Sequence, residues 1–329
     1  MPRRFSIPAP GDFVLRRDYC SYGYFLLWPN HWSVADEVVT RALALPGGPA
    51  VVRIAQPTEG RREKAGRPLA IEASRTLDRR DAAEVRARLT RMLRLDEPAE
   101  RIGEFHGVDP RHQRSGRGRL MRSPTLFEDL IKTVTSCNVQ WPSTVVMNRR
   151  LCEVAGDRAA DEGPVTHTFP SAERLARTRP GTLRARCRVG YRDARIVDLS
   201  RRFAGEEGAR LAGWMEDPAT PDDALWEALL ELPGIGPYAA ANVMQLLGRY
   251  HRLPLDTESL RHGRAVLGMK GTDRALMKRL HAHYAPFGPH AFRSYWFELW
   301  DFYESKHGPS WTWHRDTTGT QFTASKLSV

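Results

Sequence analysis

Two features of the chain carry residue types suited to chemistry. One is a glycine-bent turn, Leu232-Pro233-Gly234-Ile235-Gly236-Pro237-Tyr238-Ala239-Ala240, set between two segments of helical pattern. The other is Leu253-Pro254-Leu255-Asp256-Thr257, with Asp256 twenty residues after Gly236. Glycines let a backbone turn sharply and let a partner approach closely. A helix starting just after them turns its free amides outward, and such amides with the helix dipole behind them bind phosphate without reading sequence. A helix of about ten residues and a short return would bring Asp256 back beside the turn. There the Asp can cap the next helix, and the helix N-terminus favours its ionised form. An ionised carboxylate is what a developing cationic sugar needs.

The charge balance agrees with a phosphate-bearing partner. Among 329 residues, Lys+Arg number 50 and Asp+Glu 39, for a net charge of +11. Only six of the 50 are Lys (Lys64, Lys132, Lys270, Lys278, Lys306, Lys326). Arg enrichment also arises from biased genome composition, so charge supports nucleic-acid binding without establishing it. A 41% hydrophobic content excludes disorder as the main state. The apolar cluster Tyr24 to Trp28 stops at Pro29, far short of a membrane span. The start Met1-Pro2-Arg3-Arg4 leads into Pro- and Gly-punctuated sequence, not into a secretory apolar run. Cys20, Cys137, Cys152 and Cys187 have no metal-type spacing and form no disulfide framework. The expectation is a cytoplasmic protein, nucleoid-associated if bacterial.

The elements that position these residues divide into an α+β plan. Residues 1–120 are expected to form a β-rich domain, with strands at Phe13–Leu15, Tyr22–Trp28, Ala50–Ala55 and Leu69–Glu72, and one helix over Asp81–Leu95. Glu59–Pro68 reads as a mobile hairpin loop. Residues 121–310 are expected to be helical, as two subdomains flanking a cleft. Ser123-Pro124 reads as the first helix start, ahead of an apolar stripe of Leu126, Phe127, Leu130, Ile131 and Val134. Helices are expected over Thr144–Val154, from Ser171, over Arg192–Phe203, from Thr220-Pro221-Asp222-Asp223, and over Tyr238–Leu247, Thr257–Leu267, Arg274–Tyr284 and Phe292–Glu304. Residues 311–329 read as a partly disordered polar tail, apart from Trp311 and Trp313.

The hairpin and trailing Asp resemble the helix–hairpin–helix (HhH-GPD) DNA glycosylase superfamily. Phe127-Glu128-Asp129-Leu130 through Ser136-Cys137-Asn138-Val139-Gln140 resembles the helix and turn that enter the duplex in the 8-oxoguanine DNA glycosylase branch. Gly190-Tyr191-Arg192 is similar to that branch's wedge. The strand-rich N-terminus is similar in position to the β domain shared with the bacterial 3-methyladenine DNA glycosylase II branch. The resemblance implies a DNA glycosylase of base excision repair with Asp256 catalytic and Gly234, Gly236, Asn138, Gln140, Tyr191 and Arg192 on DNA. Asn138 and Arg192 would serve the orphan base and Tyr191 would wedge the stack. The partner implied is double-stranded DNA containing a damaged base, bound by a monomer with no membrane contact.

Departures from the pattern narrow the chemistry. Bifunctional members carry a lysine where this chain has Tyr238, and a phenol cannot form a Schiff base. A monofunctional hydrolase is expected, leaving an abasic site. No Cys follows Cys187, so the iron–sulfur cluster of the endonuclease III branch is not expected and no cofactor is required. A sodium or potassium ion held by the backbone carbonyls of Leu230, Leu232 and Ile235 is carried over from the family. Tyr238, Trp141, Tyr295 and Trp296, with Trp300 nearby, are expected to form an aromatic base pocket. Rings attract cationic rings by roughly 0.5–2 kcal/mol, so alkylated purines are the expected substrates. Aromatics at helical spacing are equally suited to a core. Deaminated or oxidised bases (hypoxanthine, uracil, 8-oxoguanine) remain open as substrates. So do a non-catalytic DNA-binding protein using the same hairpin, and a bifunctional enzyme with Lys132 or Lys270 as a relocated amine.

Overall fold

A computed structural model describes residues 3–57, 66–159, 161 and 163–317. The expected loop at Glu59–Pro68 and the tail beyond Thr317 lie largely outside these residues. Five strands, β1 (Arg4–Ile7), β2 (Asn30–Ser33), β3 (Val38–Leu43), β4 (Ala50–Ala55) and β5 (Leu69–Ala73), form one antiparallel sheet in the order β1-β5-β4-β3-β2. A short helix α1 (Leu15–Tyr19) precedes β2, and α2 (Arg79–Leu93) and α3 (Ala99–Val108) follow the sheet. Then come α4 (Leu126–Ser136), α5 (Trp141–Ala155), α6 (Ala172–Ala176), α7 (Pro180–Thr182), α8 (Asp193–Phe203) and α9 (Gly205–Glu216). The remaining helices are α10 (Asp222–Leu230), α11 (Pro237–Leu246), α12 (Thr257–Ala265), α13 (Asp273–Tyr284) and α14 (Ala291–His307). The α+β expectation holds. No helix among the described residues is long and apolar enough to cross a membrane.

Several local readings change. Phe13–Leu15 enters α1, and Tyr22–Trp28 contains a 3-10 turn over Gly23–Leu26 instead of a strand. A continuous apolar run has no period to separate strand from buried turn. The strands β2 and β3 escaped notice because their pattern is interrupted by polar Asn30, His31, Thr40 and Arg41. α4 starts at a Thr125 cap, whose side chain accepts the Glu128 amide at 3.3 Å. Ser123 is not the cap, because its amide donates to Asp129 Oδ1 (2.8 Å) and its carbonyl accepts from Arg91.

Two apolar clusters build the molecule. One joins the sheet (Val39, Val52, Ile54, Ile71) to α2 (Val85, Leu89, Met92) and α14 (Phe292, Tyr295, Phe297, Trp300). The other holds α4, α5, α8, α10 and α11 together through residues such as Leu130, Leu151, Ile196, Leu229 and Val243. The chain thus returns at its C-terminal end to the core it began in. Trp313, 1% exposed, packs on Trp300 with ring centroids 5.1 Å apart.

Charged groups stitch the two clusters. Arg41 of β3 reaches Glu128 of α4, and Lys132 lies 2.7 Å from the same carboxylate. Arg94, the left-handed residue ending α2 (φ 54°), donates to the carbonyls of Gln245 (2.9 Å) and Leu246 (2.7 Å). A cation at a helix C-terminus satisfies orphan carbonyls and complements the dipole. α11 is therefore anchored to the N-terminal half at its far end, with its N-terminus left at the hairpin.

Candidate active site

The hairpin joins α10 to α11 through Leu232–Gly236. Gly234 has φ +83°, a conformation that disfavours side chains, while Gly236 is extended. A Cβ added at Gly236 would meet no protein atom within 4 Å, so the space beside this N-cap faces outward. Of the two glycines, only Gly234 is required by backbone geometry. The Leu232 carbonyl accepts the Ile235 amide at 3.1 Å. The backbone carbonyls of Leu230, Leu232 and Ile235 are oxygens of the type hard cations take.

After α11 the chain returns through Leu253–Leu255 and places Asp256 at the N-cap of α12. Its Oδ1 accepts the amides of Glu258 and Ser259, both at 3.0 Å, and the Ser259 hydroxyl at 3.2 Å. Ser259 Oγ in turn accepts the Asp256 amide at 3.1 Å, closing a capping box. The Tyr238 hydroxyl donates to Oδ2 at 3.1 Å. Oδ1 thus serves the cap, and Oδ2 accepts only the Tyr238 hydroxyl among the described residues. Burial, then the Asp256 charge, hold the Tyr238 phenol well above its ordinary range, so it stays a donor. Tyr295 behaves likewise, and its hydroxyl shares a 2.7 Å hydrogen bond with Ser259.

Asp256 faces a cavity of about 460 Å³ that opens between the two apolar clusters. Tyr238, Trp141, Tyr295, Trp296 and Gln140 all line it, as does Trp300. Trp296 also serves the core: its Nε1 donates to the Ser21 carbonyl at 2.8 Å and its ring stacks on Trp300 at 5.2 Å. These rings therefore line the cavity and pack in the core at once. Tyr22, Gly23, Tyr24, Asn242, Glu258 and Tyr303 are also in the wall and were not anticipated. A signal existed in Tyr22-Gly23-Tyr24. Gly23 lies where a Cβ would sit 3.2 Å from Trp141, so this glycine admits the indole.

Asn138 and Tyr191 do not line the cavity. Asn138 is exposed in the loop after α4 with φ +51°, a conformation Asn tolerates. Tyr191 is 50% exposed, its ring flanked by the guanidinium groups of Arg192 (4.5 Å) and Arg195 (5.1 Å). Arg192 requires correction. Its buried guanidinium donates to the carbonyls of Val134 (3.1 Å) and Cys137 at the end of α4. In this structure it is a helix-capping group, with its donors turned inward, and is not poised to read an orphan base. Neither candidate amine is at the site: Lys132 is buried against Glu128, and Lys270 is exposed in the turn after α12. No described lysine lines the cavity.

Behind α12, Glu298 of α14 accepts His262 Nε2 (2.8 Å) and the Tyr284 hydroxyl (2.7 Å), and pairs with Arg111. Burial alone would raise this carboxyl, but the three donors outweigh it and hold its pKa down to about 2. A depressed carboxyl contributes stability that is complete above its unfolded value and is lost as pH falls toward the folded one. Glu298→Gln should therefore cost about 1–2 kcal/mol at neutral pH after allowing for solvent screening. Urea titrations should show that difference shrinking between about pH 4.5 and pH 2. A difference that stays constant over this window would assign the effect to packing.

No family model matches the chain. Two Mycobacterium tuberculosis strains carry a relative described as a probable bifunctional transcriptional activator/DNA repair enzyme AlkA. It is 29% identical over 283 residues, covering 82% of this chain and 52% of the relative. The chain spans about half the length of these curated relatives. Among solved structures, a 3-methyladenine DNA glycosylase from Archaeoglobus fulgidus aligns with a TM-score of 0.65 at 20% identity, covering 91% of this chain and 98% of that one. A Clostridium acetobutylicum 8-oxoguanine glycosylase/lyase aligns at 0.63 and 15% identity, covering 90% and 98%. The relative is described as a DNA repair enzyme and the structural neighbours as DNA glycosylases, and the structural likeness establishes the fold.

Proposed function

We propose that this chain, built on the helix–hairpin–helix DNA glycosylase fold, is a monofunctional DNA glycosylase of base excision repair acting on alkylated purines. The observation that carries the proposal is the Asp256 carboxylate on the wall of an aromatic cavity beside an outward-facing hairpin. A protein that only gripped phosphate could cap α12 with an uncharged Asn or Ser and avoid a carboxylate that repels DNA.

The outward amides at the start of α11 hold the sugar–phosphate strand. A monovalent cation in the Leu230–Ile235 turn would add positive charge beneath the same phosphate. Tyr191 and the Asn138–Gln140 loop occupy the gap left in the stack. The everted base enters between the rings of Trp141 and Trp296, as an enzyme acting on a base requires. As the N-glycosidic bond lengthens, positive charge grows on the sugar. Asp256, fixed through Oδ1 by the α12 amides, stabilises it without reorganising. Water then adds to the anomeric carbon, and the products are the free base and an abasic site. An alkylated purine already carries positive charge and leaves readily, so no strong general acid is needed.

A panel of duplex oligonucleotides, each with one lesion (an alkylpurine, hypoxanthine, uracil, 8-oxoguanine, or thymine opposite guanine), tests this reading. Strand cleavage is expected only after alkali, and fastest for the alkylpurine. Cleavage without alkali would contradict the monofunctional assignment. Tyr238→Lys should place an amine beside Asp256 and yield a borohydride-trapped adduct on abasic DNA, at a low level against none for the parent. A missing adduct would mean that position 238 does not face the anomeric carbon.

A further inference from the structure

The cavity holds a second carboxylate that the reaction just described does not use. Glu258 lies in the first turn of α12, two residues after Asp256, and lines the same wall. One of its oxygens is fully engaged. Oε1 accepts the Tyr303 hydroxyl at 2.8 Å and Arg261 Nε at 2.7 Å, with Arg261 Nη2 at 2.6 Å. Its side-chain hydrogen bonds among the described residues all address Oε1. Oε2 has no hydrogen-bond partner among the described residues and keeps some exposure, on a residue that lines the cavity.

The surrounding groups make that oxygen distinctive. The hydroxyl of Tyr238 is on Asp256, that of Tyr295 on Ser259, and that of Tyr24 on Thr133 at 2.9 Å. These walls therefore offer mostly ring faces to a base, with Gln140 and Asn242 as uncharged polar neighbours, and Glu258 adds a second carboxylate to that of Asp256. A carboxylate in such surroundings interacts more strongly than in water. It is also penalised when a guest removes its water and supplies no donor.

We infer that Glu258 is a specificity-determining residue: its free oxygen accepts an N–H on the edge of the everted base, and its charge favours a base that is itself cationic. This assignment rests on the glycosylase reading. It selects 7-methylguanine, which carries ring charge and N–H donors, over 1,N6-ethenoadenine, which is neutral and has no such donor.

The full chain and its Glu258→Gln variant are compared in two assays. Glutamine keeps an oxygen for Tyr303 and Arg261 and removes the charge. In single-turnover release, the ratio of 7-methylguanine to 1,N6-ethenoadenine rates should fall about tenfold, the scale of one hydrogen bond to a charged group. An unchanged ratio, including one in which both rates drop together, overturns the assignment. In the second assay, tryptophan fluorescence follows binding of cationic 7-methylguanosine and of neutral guanosine, which has the same edge donors. The parent protein should bind the cation about tenfold more tightly, and the variant should lose that preference. A parent without the preference, or a variant that keeps it, overturns the assignment. Charge preference in a protein that releases no base would sink the glycosylase reading alone. A parent without the preference overturns the assignment even if the variant does not fold.

Discussion

Replacing Asp256 with Asn should leave DNA binding almost unchanged and lower the rate of base release by about three decades. Asn is as good an N-cap as Asp. Its side-chain oxygen can still accept the Glu258 and Ser259 amides that now bond to Oδ1, so α12 should hold its place. What disappears is the charge. Two unit charges about 4 Å apart attract by roughly 4 kcal/mol at an effective dielectric of 20, equivalent to about a thousandfold in rate. Asp256→Ala would be the poorer variant, because it removes cap and charge together. Single-turnover release from an alkylpurine duplex, with the dissociation constant measured in parallel, separates the two effects. Release within a few-fold of the parent would remove Asp256 from the chemistry and leave it a helix cap.

The largest effect on stability should come from the buried charges between sheet and helices. Glu128 is enclosed with Arg41 and Lys132, all almost inaccessible to solvent. Burial alone would push the Glu128 carboxyl up, yet the two cations hold it below its ordinary value. Glu128→Gln keeps the shape and leaves two cations without a counter-charge. Breaking a buried pair on one side costs about 3–5 kcal/mol, which should lower the melting temperature by about 10 °C. Replacing Arg41, Glu128 and Lys132 together with apolar residues of similar volume should recover most of that loss, because no charge is then left buried. Calorimetry on the single and triple variants tests both statements. A single variant as stable as its parent would mean that water reaches these groups.

These two residues show how unevenly the molecule could be read from its sequence. Asp256 was legible because its meaning is local: a short return after a glycine-bent turn leaves few places for it to go, and the cap geometry follows from the next three residues. Glu128 was noticed only within a motif, since nothing near it in sequence announces Arg41 from the third strand. Arg192 was misread for the same reason. An arginine on a polar helix face looks free until the carbonyls ending α4 are found against it. The segment Tyr22–Trp28 was read as a strand, although its apolar content correctly marked it as buried.

Helical periodicity, the hairpin glycines and the Asp that follows them are written in spacings of a few residues, where backbone geometry permits little choice. They were enough to lay out the plan of the helical region and to bring Asp256 back beside the hairpin. The cavity is a different matter, because its walls come from residues 22–24, 136–144, 238–258 and 292–303. Which ring face is wet, and which oxygen of Glu258 is free, depends on how those distant segments close on one another. Contacts across such separations are chosen by packing, and packing has no signature in a single linear string.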